Sequence, residues 1–300
     1  MSKKLKILVP FLVVLTLLLS GCGTKAPKYN AKKSLGPQIN YTITGIDAGA
    51  GIMTSTQKAL QAYGLDQKNW QLQTSSTAAM TSTLAKAIRN KQPIVVTGWQ
   101  PHWMFTKYPL KFLQDPKHIF GSEESIHTIV RQGLKEDQPA AYEMLDNFHW
   151  TPEQMSEVML QVNEGKDPKV AAKAWIKANP KQVASWTAGI KPVTGKPLIK
   201  LTYVAWDSEI ASTNVVAEVL RGLGYQVRIQ AMEIQPMWAA VATKAADAQV
   251  AAWLPTTSAK FYQDYKNKVE DLGANLEGAR VGLAVPTYMT NINSIEDLLK

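Results

Sequence analysis

Three tryptophan residues, Trp99, Trp206 and Trp253, stand where predicted strands end and loops begin. Trp99 follows the apolar run 94–96 and Trp253 follows the apolar run 250–252, with a proline two residues further on in each case. Strands buried on both faces belong to parallel sheets, and open α/β folds bind ligands beside the carboxyl ends of such strands. We therefore predict that the three indole rings line one ligand cleft.

The chemistry that such rings offer is the capture of a methylated cation. A quaternary ammonium group has no N–H to donate, so it is held by methyl contact and by cation–π attraction, worth about 0.5 to 2 kcal/mol per ring. A primary amine would instead require a carboxylate. A single tryptophan at a strand end is more often part of the core, but three at related junctions indicate a cage.

A binding place for an anion is predicted at the loop 47–51, where small residues precede a helix. Gly51 and Ile52 carry backbone N–H groups at the start of that helix, where the helix dipole favours a carboxylate. Two glycines in a loop are a weak signal alone. Together with the tryptophans they predict a site for a zwitterion.

The elements that must position these residues recur along the chain. A strand at 41–46, the loop and a helix at 52–63 are followed by a second copy with a strand at 201–205 and a helix at 212–223. Alternating strands and helices predict mostly parallel sheets, and the internal repeat predicts two lobes with a groove between them.

The segment 135–190 fits neither copy, and we expect it to cover the second lobe. The predicted limits are residues 40–130 for the first lobe and 131–300 for the second. Within the segment, proline-led amphipathic patterns predict three helices. They lie at 140–146, 152–162 and 168–178.

The amino terminus reads as an export signal. Lysines precede an apolar run at 7–19, which is short for a membrane span, and Leu19-Ser20-Gly21-Cys22 then resembles the lipobox of a bacterial lipoprotein. Residues 1–21 are predicted to be a signal peptide, Cys22 a lipidated amino terminus, and 22–39 a tether that holds the body at the extracytoplasmic face of the membrane. Cys22 is the only cysteine, and the alternative is an ordinary free thiol.

Motifs for catalysis, cofactors and metals are not found. The sequence has no phosphate-binding loop, no nucleophile elbow and no paired-histidine motif, and its net charge of +9 comes from scattered basic residues, unlike a nucleic-acid-binding face. Of the four histidines only His102, beside Trp99, is a candidate ligand. Asp47 and Asp207 occupy matching places in the copies and are interpreted as caps or loop anchors. An exported hydrolase using these two carboxylates, or a sensory or adhesive lipoprotein, remains as an alternative.

Four segments resemble the glycine betaine-binding lipoproteins of osmoregulatory ABC transporters, and the resemblance runs from about residue 40 to the end. They are GIDAGAGIM at 45–53, TGWQPHWMF at 97–105, YVAWDSEIAST at 203–213 and AWLP at 252–255.

The resemblance implies a two-lobed periplasmic-binding-protein fold of type II that closes on its ligand. It places the family's three-tryptophan prism on Trp99, Trp206 and Trp253, and the amides that take the carboxylate on Gly51 and Ile52. It also implies delivery of glycine betaine to a permease driven by a separate ATPase, with no cofactor and no metal. Proline betaine, carnitine or choline is the alternative ligand.

One departure from the family concerns the carboxylate end. Close relatives carry a histidine three residues after the proline of the Trp-Leu-Pro motif, and this chain has Ser258 there. Serine donates one hydrogen bond but no charged one, so affinity or preference among betaines is expected to differ. Ser258 and His102 are therefore further candidates for the carboxylate.

Overall fold

The computed structural model describes residues 27–300. The predicted signal peptide, Cys22 and the first part of the predicted tether lie outside the described residues. Within 27–300, no helix is both long enough and apolar enough to cross a bilayer.

Nine strands and twelve α-helices make up the described chain. The strands are β1 (Thr42–Thr44), β2 (Gln71–Gln73), β3 (Val95–Gln100), β4 (Leu110–Phe112), β5 (Glu124–Arg131), β6 (Leu198–Tyr203), β7 (Gln226–Ala231), β8 (Ala248–Leu254) and β9 (Val269–Pro286). The helices are α1 (Leu35–Gln38), α2 (Gly51–Ala62), α3 (Thr77–Asn90), α4 (Trp103–Lys107), α5 (Leu134–Asp137), α6 (Pro139–Asn147), α7 (Pro152–Asn163), α8 (Pro168–Ala178), α9 (Pro180–Trp186), α10 (Asp207–Gly222), α11 (Ile234–Ala242) and α12 (Ala259–Tyr265).

Two sheets with the same strand order organise these elements. The first runs β2-β1-β3-β9-β4 and the second runs β7-β6-β8-β5-β9. In each, three parallel strands are followed by one antiparallel strand that arrives from the other half of the chain: β9 beside β3, and β5 beside β8. The predicted α/β, two-lobed type II fold is confirmed, with the repeat visible as matching topology.

The lobes exchange strands, and their limits therefore differ from the predicted 40–130 and 131–300. Strand β5 pairs with β8 in the second sheet, and the last residues of β9 pair with β3 and β4 in the first. The carboxyl terminus also packs on the first lobe, where Trp70 Nε1 donates to the carbonyl of Leu298 at 3.1 Å. We call β1 to β4 with residues 280–300 the first lobe, and β5 to β8 with residues 269–279 the second.

The helices of segment 135–190 pack against α10, a helix of the second lobe. Their interior is aromatic, with Trp175 stacked on Trp186 at a ring-centroid distance of 5.8 Å. Trp150 meets Trp175 edge-on at 5.7 Å, and all three rings are buried. These tryptophans are core residues, in contrast to the three proposed for the cleft.

Part of the predicted tether is packed on the first lobe. Residues 27–39 include α1, whose Leu35 is buried. The amide of Tyr29 donates to the carbonyl of Lys91 at 2.8 Å, and Gln38 Oε1 accepts from the amide of Asn30 at 2.9 Å. The polar composition of this segment concealed the few apolar residues that dock it, which are Leu35, Tyr29 and Ile39.

Asp247 joins three elements of the second lobe, so Asp247→Ala should reduce its stability. Its Oδ1 accepts from Arg131 Nε at 2.7 Å and its Oδ2 accepts from the amide of Lys200 at 2.7 Å. The variant would leave the largely buried Arg131 with only the exposed Asp137 as its ion-pair partner and would remove the acceptor of the Lys200 amide. We therefore expect a loss of about 2 to 4 kcal/mol in the free energy of unfolding, measured by urea denaturation. The control Asp264→Ala, whose partner Lys260 is exposed, should change it by less than about 0.5 kcal/mol. Equal losses in both variants would contradict this assignment.

Candidate functional site

A cavity lies between the two lobes, with a volume of about 460 Å³ that includes space open to solvent. Its wall is mostly apolar and is contributed by both lobes. The first lobe supplies Ile46, Ala50, Gly51, Ile52, Trp99 and Val281, and the second supplies Trp206, Ser208, Glu209, Ile234, Ala251, Trp253, Thr257 and Ser258.

Nearly all the predicted site residues meet in this wall. The three tryptophans proposed for the cage, the two amides proposed for the carboxylate and Ser258 all line the one cavity. His102 is not among the residues that line it.

Two of the three rings are carried by strands and are held firmly. Trp99 lies near the end of β3, opposite Val281 of β9, and meets the edge of the His102 ring at a centroid distance of 4.5 Å. Trp253 lies in β8, opposite Ile126 of β5. Both tryptophans are buried, because each strand continues a core sheet up to the cavity.

The third ring, Trp206, is tied to the opposite lobe. It precedes α10, and its Nε1 donates across the cleft to Asp47 Oδ2 at 3.1 Å. The matching residue of the second copy makes the reverse connection: Asp207 Oδ2 accepts from Trp103 Nε1 at 2.8 Å and from His102 Nε2 at 3.1 Å. The two aspartates thus anchor the lobes to each other, and neither lines the cavity.

His102 makes one of these contacts between the lobes and does not face the ligand space, which departs from its predicted place at the carboxylate. Its Nδ1 accepts from the amide of Met104 at 3.1 Å, so in the neutral ring the proton lies on Nε2, which donates to Asp207. Burial lowers the pKa of His102 against the raising effect of Asp207. Burial alone would raise the pKa of Asp207, but the bonds from His102 and Trp103 hold it below its usual value. A position beside Trp99 in sequence did not reveal that the imidazole turns away.

The start of α2 forms the polar end of the cavity. Ala50 is the N-cap and supplies no side-chain cap, so the amides of Gly51 and Ile52 precede the first intrahelical bonds. Met53 is the first residue of the helix whose amide bonds back, to the Ala50 carbonyl at 3.0 Å. Two free N–H groups and the helix dipole therefore point toward the same wall as the rings.

Ser258 stands at the second lobe's side of the cavity and closes the loop after β8. Its amide donates to the Trp253 carbonyl at 2.7 Å, and its Oγ accepts from the Trp253 amide at 3.2 Å. Glu124 supports the same loop by accepting from the amides of Thr256 and Thr257 at 2.6 Å each. Because Ser258 Oγ is an acceptor in this arrangement, its own proton is available to a ligand.

Glu209 is a wall residue to which the sequence interpretation assigned no role, although it lies in the segment 203–213. Its carboxyl is buried, and Oε2 accepts from the amide of Val204 at 2.6 Å. Burial raises the pKa of Glu209 to about 8, against the lowering effect of that bond. A buried acid beside a tryptophan cage gives no periodic signal, which is why the pattern alone did not identify it.

Possible metal ligands are not grouped in the part of the chain that the structure describes. Residues 27–300 contain no group of three or more His, Cys, Asp or Glu side chains placed to hold a metal ion.

Fold and site together define a class of protein. Two lobes of matching topology, joined by exchanged strands and enclosing an aromatic cavity, form a ligand-binding protein of the type that closes on a small molecule.

Comparison with known proteins gives the family. The model for the substrate-binding domain of ABC-type glycine betaine transport systems matches residues 26–178 and 197–300, and the chain belongs to this family. It is 69% identical over 298 residues to the glycine betaine/carnitine transport binding protein GbuC of Listeria monocytogenes. The alignment covers 99% of each of the two chains.

Two solved structures of related binding proteins match the chain over about half its length. Lactococcal OpuAC in its closed conformation with glycine betaine is 47% identical over 54% of this chain and 63% of its own, with a TM-score of 0.48. The glycine betaine/L-proline-binding protein ProX of Borrelia burgdorferi is 34% identical over 54% of this chain and 62% of its own, with a TM-score of 0.49. The alignments span less than two thirds of either structure.

Gly51→Ala tests the close approach of the lobes at the polar end. A Cβ at Gly51 would overlap the carbonyl of Thr257 and lie about 2.7 Å from its Cγ2, so the second lobe would be pushed away. We expect loss of tight ligand binding, at least about 30-fold in Kd by titration calorimetry, with little change in the unfolding temperature of the ligand-free protein.

The matched control is Gly49→Ala. Its Cβ would meet only Ile234 Cγ2 at 3.5 Å, an ordinary contact. Affinity should stay within about threefold of the original protein. Equal losses in both variants would mean that loop flexibility, and not the contact with Thr257, governs binding.

Proposed function

We propose that the chain captures glycine betaine between its lobes and delivers it to an ABC permease for osmoprotection. The observation that carries this proposal is the convergence of three tryptophan rings from both lobes on one cavity, next to a free helix amino terminus. Electron-rich faces suit a trimethylammonium group, and free amides suit a carboxylate.

The carboxylate end explains why a zwitterion is preferred over a simple cation. In the proposed complex Gly51 and Ile52 donate their amides to the carboxylate, and Ser258 donates its hydroxyl from the opposite lobe. Hydrogen bonds to a charged group are about twice as strong as neutral ones. The cage holds the other end of the ligand, so both ends contribute to recognition.

Closure follows from the distribution of these groups. Trp99 and the two amides belong to the first lobe, whereas Trp206, Trp253 and Ser258 belong to the second. A ligand stabilises a closed conformation only to the extent that it contacts both sides of the cleft. The proposed ligand does so at each end, and it acts together with the Asp47 and Asp207 contacts.

The wider assignment follows the family. We infer that the protein acts outside the cytoplasmic membrane, held by lipid on Cys22, and passes its ligand to a permease energised by a separate ATPase. It is proposed to bind and not to transform its ligand. Asp47 and Asp207, the carboxylates that an acid–base mechanism would need, are engaged by indole and imidazole donors and lie away from the cavity wall.

Carnitine is the second candidate ligand, favoured by the similarity to the glycine betaine/carnitine transport binding protein of Listeria. It carries the same trimethylammonium group and carboxylate on a longer chain.

One calorimetric titration series with glycine betaine, carnitine, proline betaine and choline ranks the candidates. Absence of binding by all four would overturn the proposed function.

Trp206→Ala tests the cage. Loss of one ring and of its bond to Asp47 should weaken glycine betaine binding by at least about 30-fold in Kd, measured by calorimetry. Trp206 is half-buried beside an open cavity, so the ligand-free protein should unfold at nearly its original temperature. The control Trp186→Ala removes a fully buried core ring and should cost about 3 to 5 kcal/mol of stability while the folded fraction still binds. Intact binding with a large stability loss in Trp206→Ala would assign that ring to the core.

Ser258→Ala tests the carboxylate end. The variant loses a donor to the ligand's charge, so we expect about tenfold weaker binding of glycine betaine. Choline has no carboxylate and serves as the internal control, because any general distortion of the loop after β8 would weaken both ligands. The ratio of the two Kd values is therefore the readout, and an unchanged ratio would remove Ser258 from the carboxylate site.

A further inference from the structure

Glu209 is a buried acid in the cavity wall for which the proposed capture of a zwitterion has no use. It lies in the first turn of α10, three residues after Trp206, and lines the same cavity as the three rings. Its side chain is almost completely buried. A carboxyl in an apolar wall next to a cation site is a potential counter-charge.

The contacts of Glu209 keep it in place without neutralising it. Oε2 accepts one hydrogen bond, from the amide of Val204 at 2.6 Å. Val204 belongs to the same lobe, so this bond does not depend on closure of the cleft. No basic side chain within residues 27–300 forms an ion pair with Glu209.

We propose that Glu209 is a specificity-determining residue that exchanges its proton for the cation of the ligand. In the empty cavity the carboxyl is protonated, and when a quaternary ammonium group enters the cage the O–H bond breaks and the proton passes to solvent. The carboxylate that remains faces the cation and stabilises it. This inference rests on the proposed function, because it requires a methylated cation in the cage.

The titratable groups around Glu209 have pKa values that are shifted away from the neutral range. Tyr203, at the end of β6, has its pKa raised by burial and then by the charge of Glu209. Asp207, on the same helix, has its pKa held low by His102 and Trp103 against the effect of burial. The pKa of His102 is itself lowered by burial.

The other elements around Glu209 contribute no charge to the cavity wall. Strand β8 supplies Ala251 and Trp253, and α11 supplies Ile234. From the first lobe, Asp47 is engaged by Trp206. Among Tyr203, Asp207, His102 and Glu209, it is therefore Glu209 that changes its charge between pH 6.5 and 9.

The direction of the pH effect follows from linkage. Burial raises the pKa of Glu209 to about 8 in the empty cavity, and a bound cation favours the ionised form and lowers it. Binding then releases a proton, and affinity increases as pH rises toward that value and levels off above it. Choline should gain more than glycine betaine, because the carboxylate of glycine betaine partly cancels its cation as seen by Glu209.

The test is calorimetric titration of the full-length protein at pH 6.5, 7.5 and 9, in phosphate and Tris buffers that differ in ionisation enthalpy. The probes are glycine betaine and choline. For the original protein we expect release of about half a proton or more per ligand at pH 6.5 to 7.5, and at least about threefold tighter binding at pH 9 than at pH 6.5. The Kd ratio of choline to glycine betaine should fall over the same range.

Glu209→Gln is the matched variant, because its amide oxygen can still accept from Val204 and it carries no titratable proton. It should release no proton and bind with an affinity that does not change with pH. Proton release in the original protein is measured without any variant, so the inference stays testable if Glu209→Gln does not fold. Proton uptake, a flat pH profile in the original protein, or equal release by the variant would overturn it. Failure of every ligand to bind would instead overturn the proposed function.

Discussion

The indole N–H of Trp206 donates to Asp47 across the cleft, and this hydrogen bond couples the position of a ring in the cavity wall to contact between the lobes. Trp206 is part of the second lobe, but its side chain is hydrogen-bonded to Asp47 of the first lobe. Its orientation in the cavity is therefore fixed only when the lobes meet. A binding protein whose recognition surface is completed by closure links ligand capture to a change of shape, which is the signal that a transport partner can detect.

This contact has a counterpart in the other half of the molecule, which has the same strand order. Asp47 and Asp207 follow equivalent strands in the two sheets, and each accepts from indole or imidazole N–H donors of the opposite lobe. The copies then diverged in what surrounds the aspartate: Trp206 lines the cavity, whereas Trp103 and His102 fill the space behind Trp99.

Much of the fold and most of the candidate site could be predicted from the sequence, because both depend on local patterns. Apolar runs that end in tryptophan identify buried strands and the edge at which they open, and Trp99 and Trp253, which follow two such runs, both line the cavity. The limits of the lobes could not be obtained from such local patterns. The apolar residues of β5 and of the end of β9 predict buried strands, but they do not indicate which of the two sheets each strand joins. The orientation of His102 and the burial of Glu209 depend on packing between distant segments, and no spacing in the sequence encodes it.

The size of ligand that the cleft accepts is set by backbone and not by side chains at its polar end. Gly51 approaches the carbonyl of Thr257 so closely that no Cβ fits between them, and Glu124 fixes that loop through the amides of Thr256 and Thr257. Neither side can therefore yield by rotating a side chain. If a zwitterion binds as proposed, a longer one would have to bend between the tryptophans or hold the lobes further apart, and in the second case the contacts of Asp47 and Asp207 would be lost. For the proposed function, selection among betaines would thus depend on the completeness of closure, while the proposed cage would distinguish only the methylated cation.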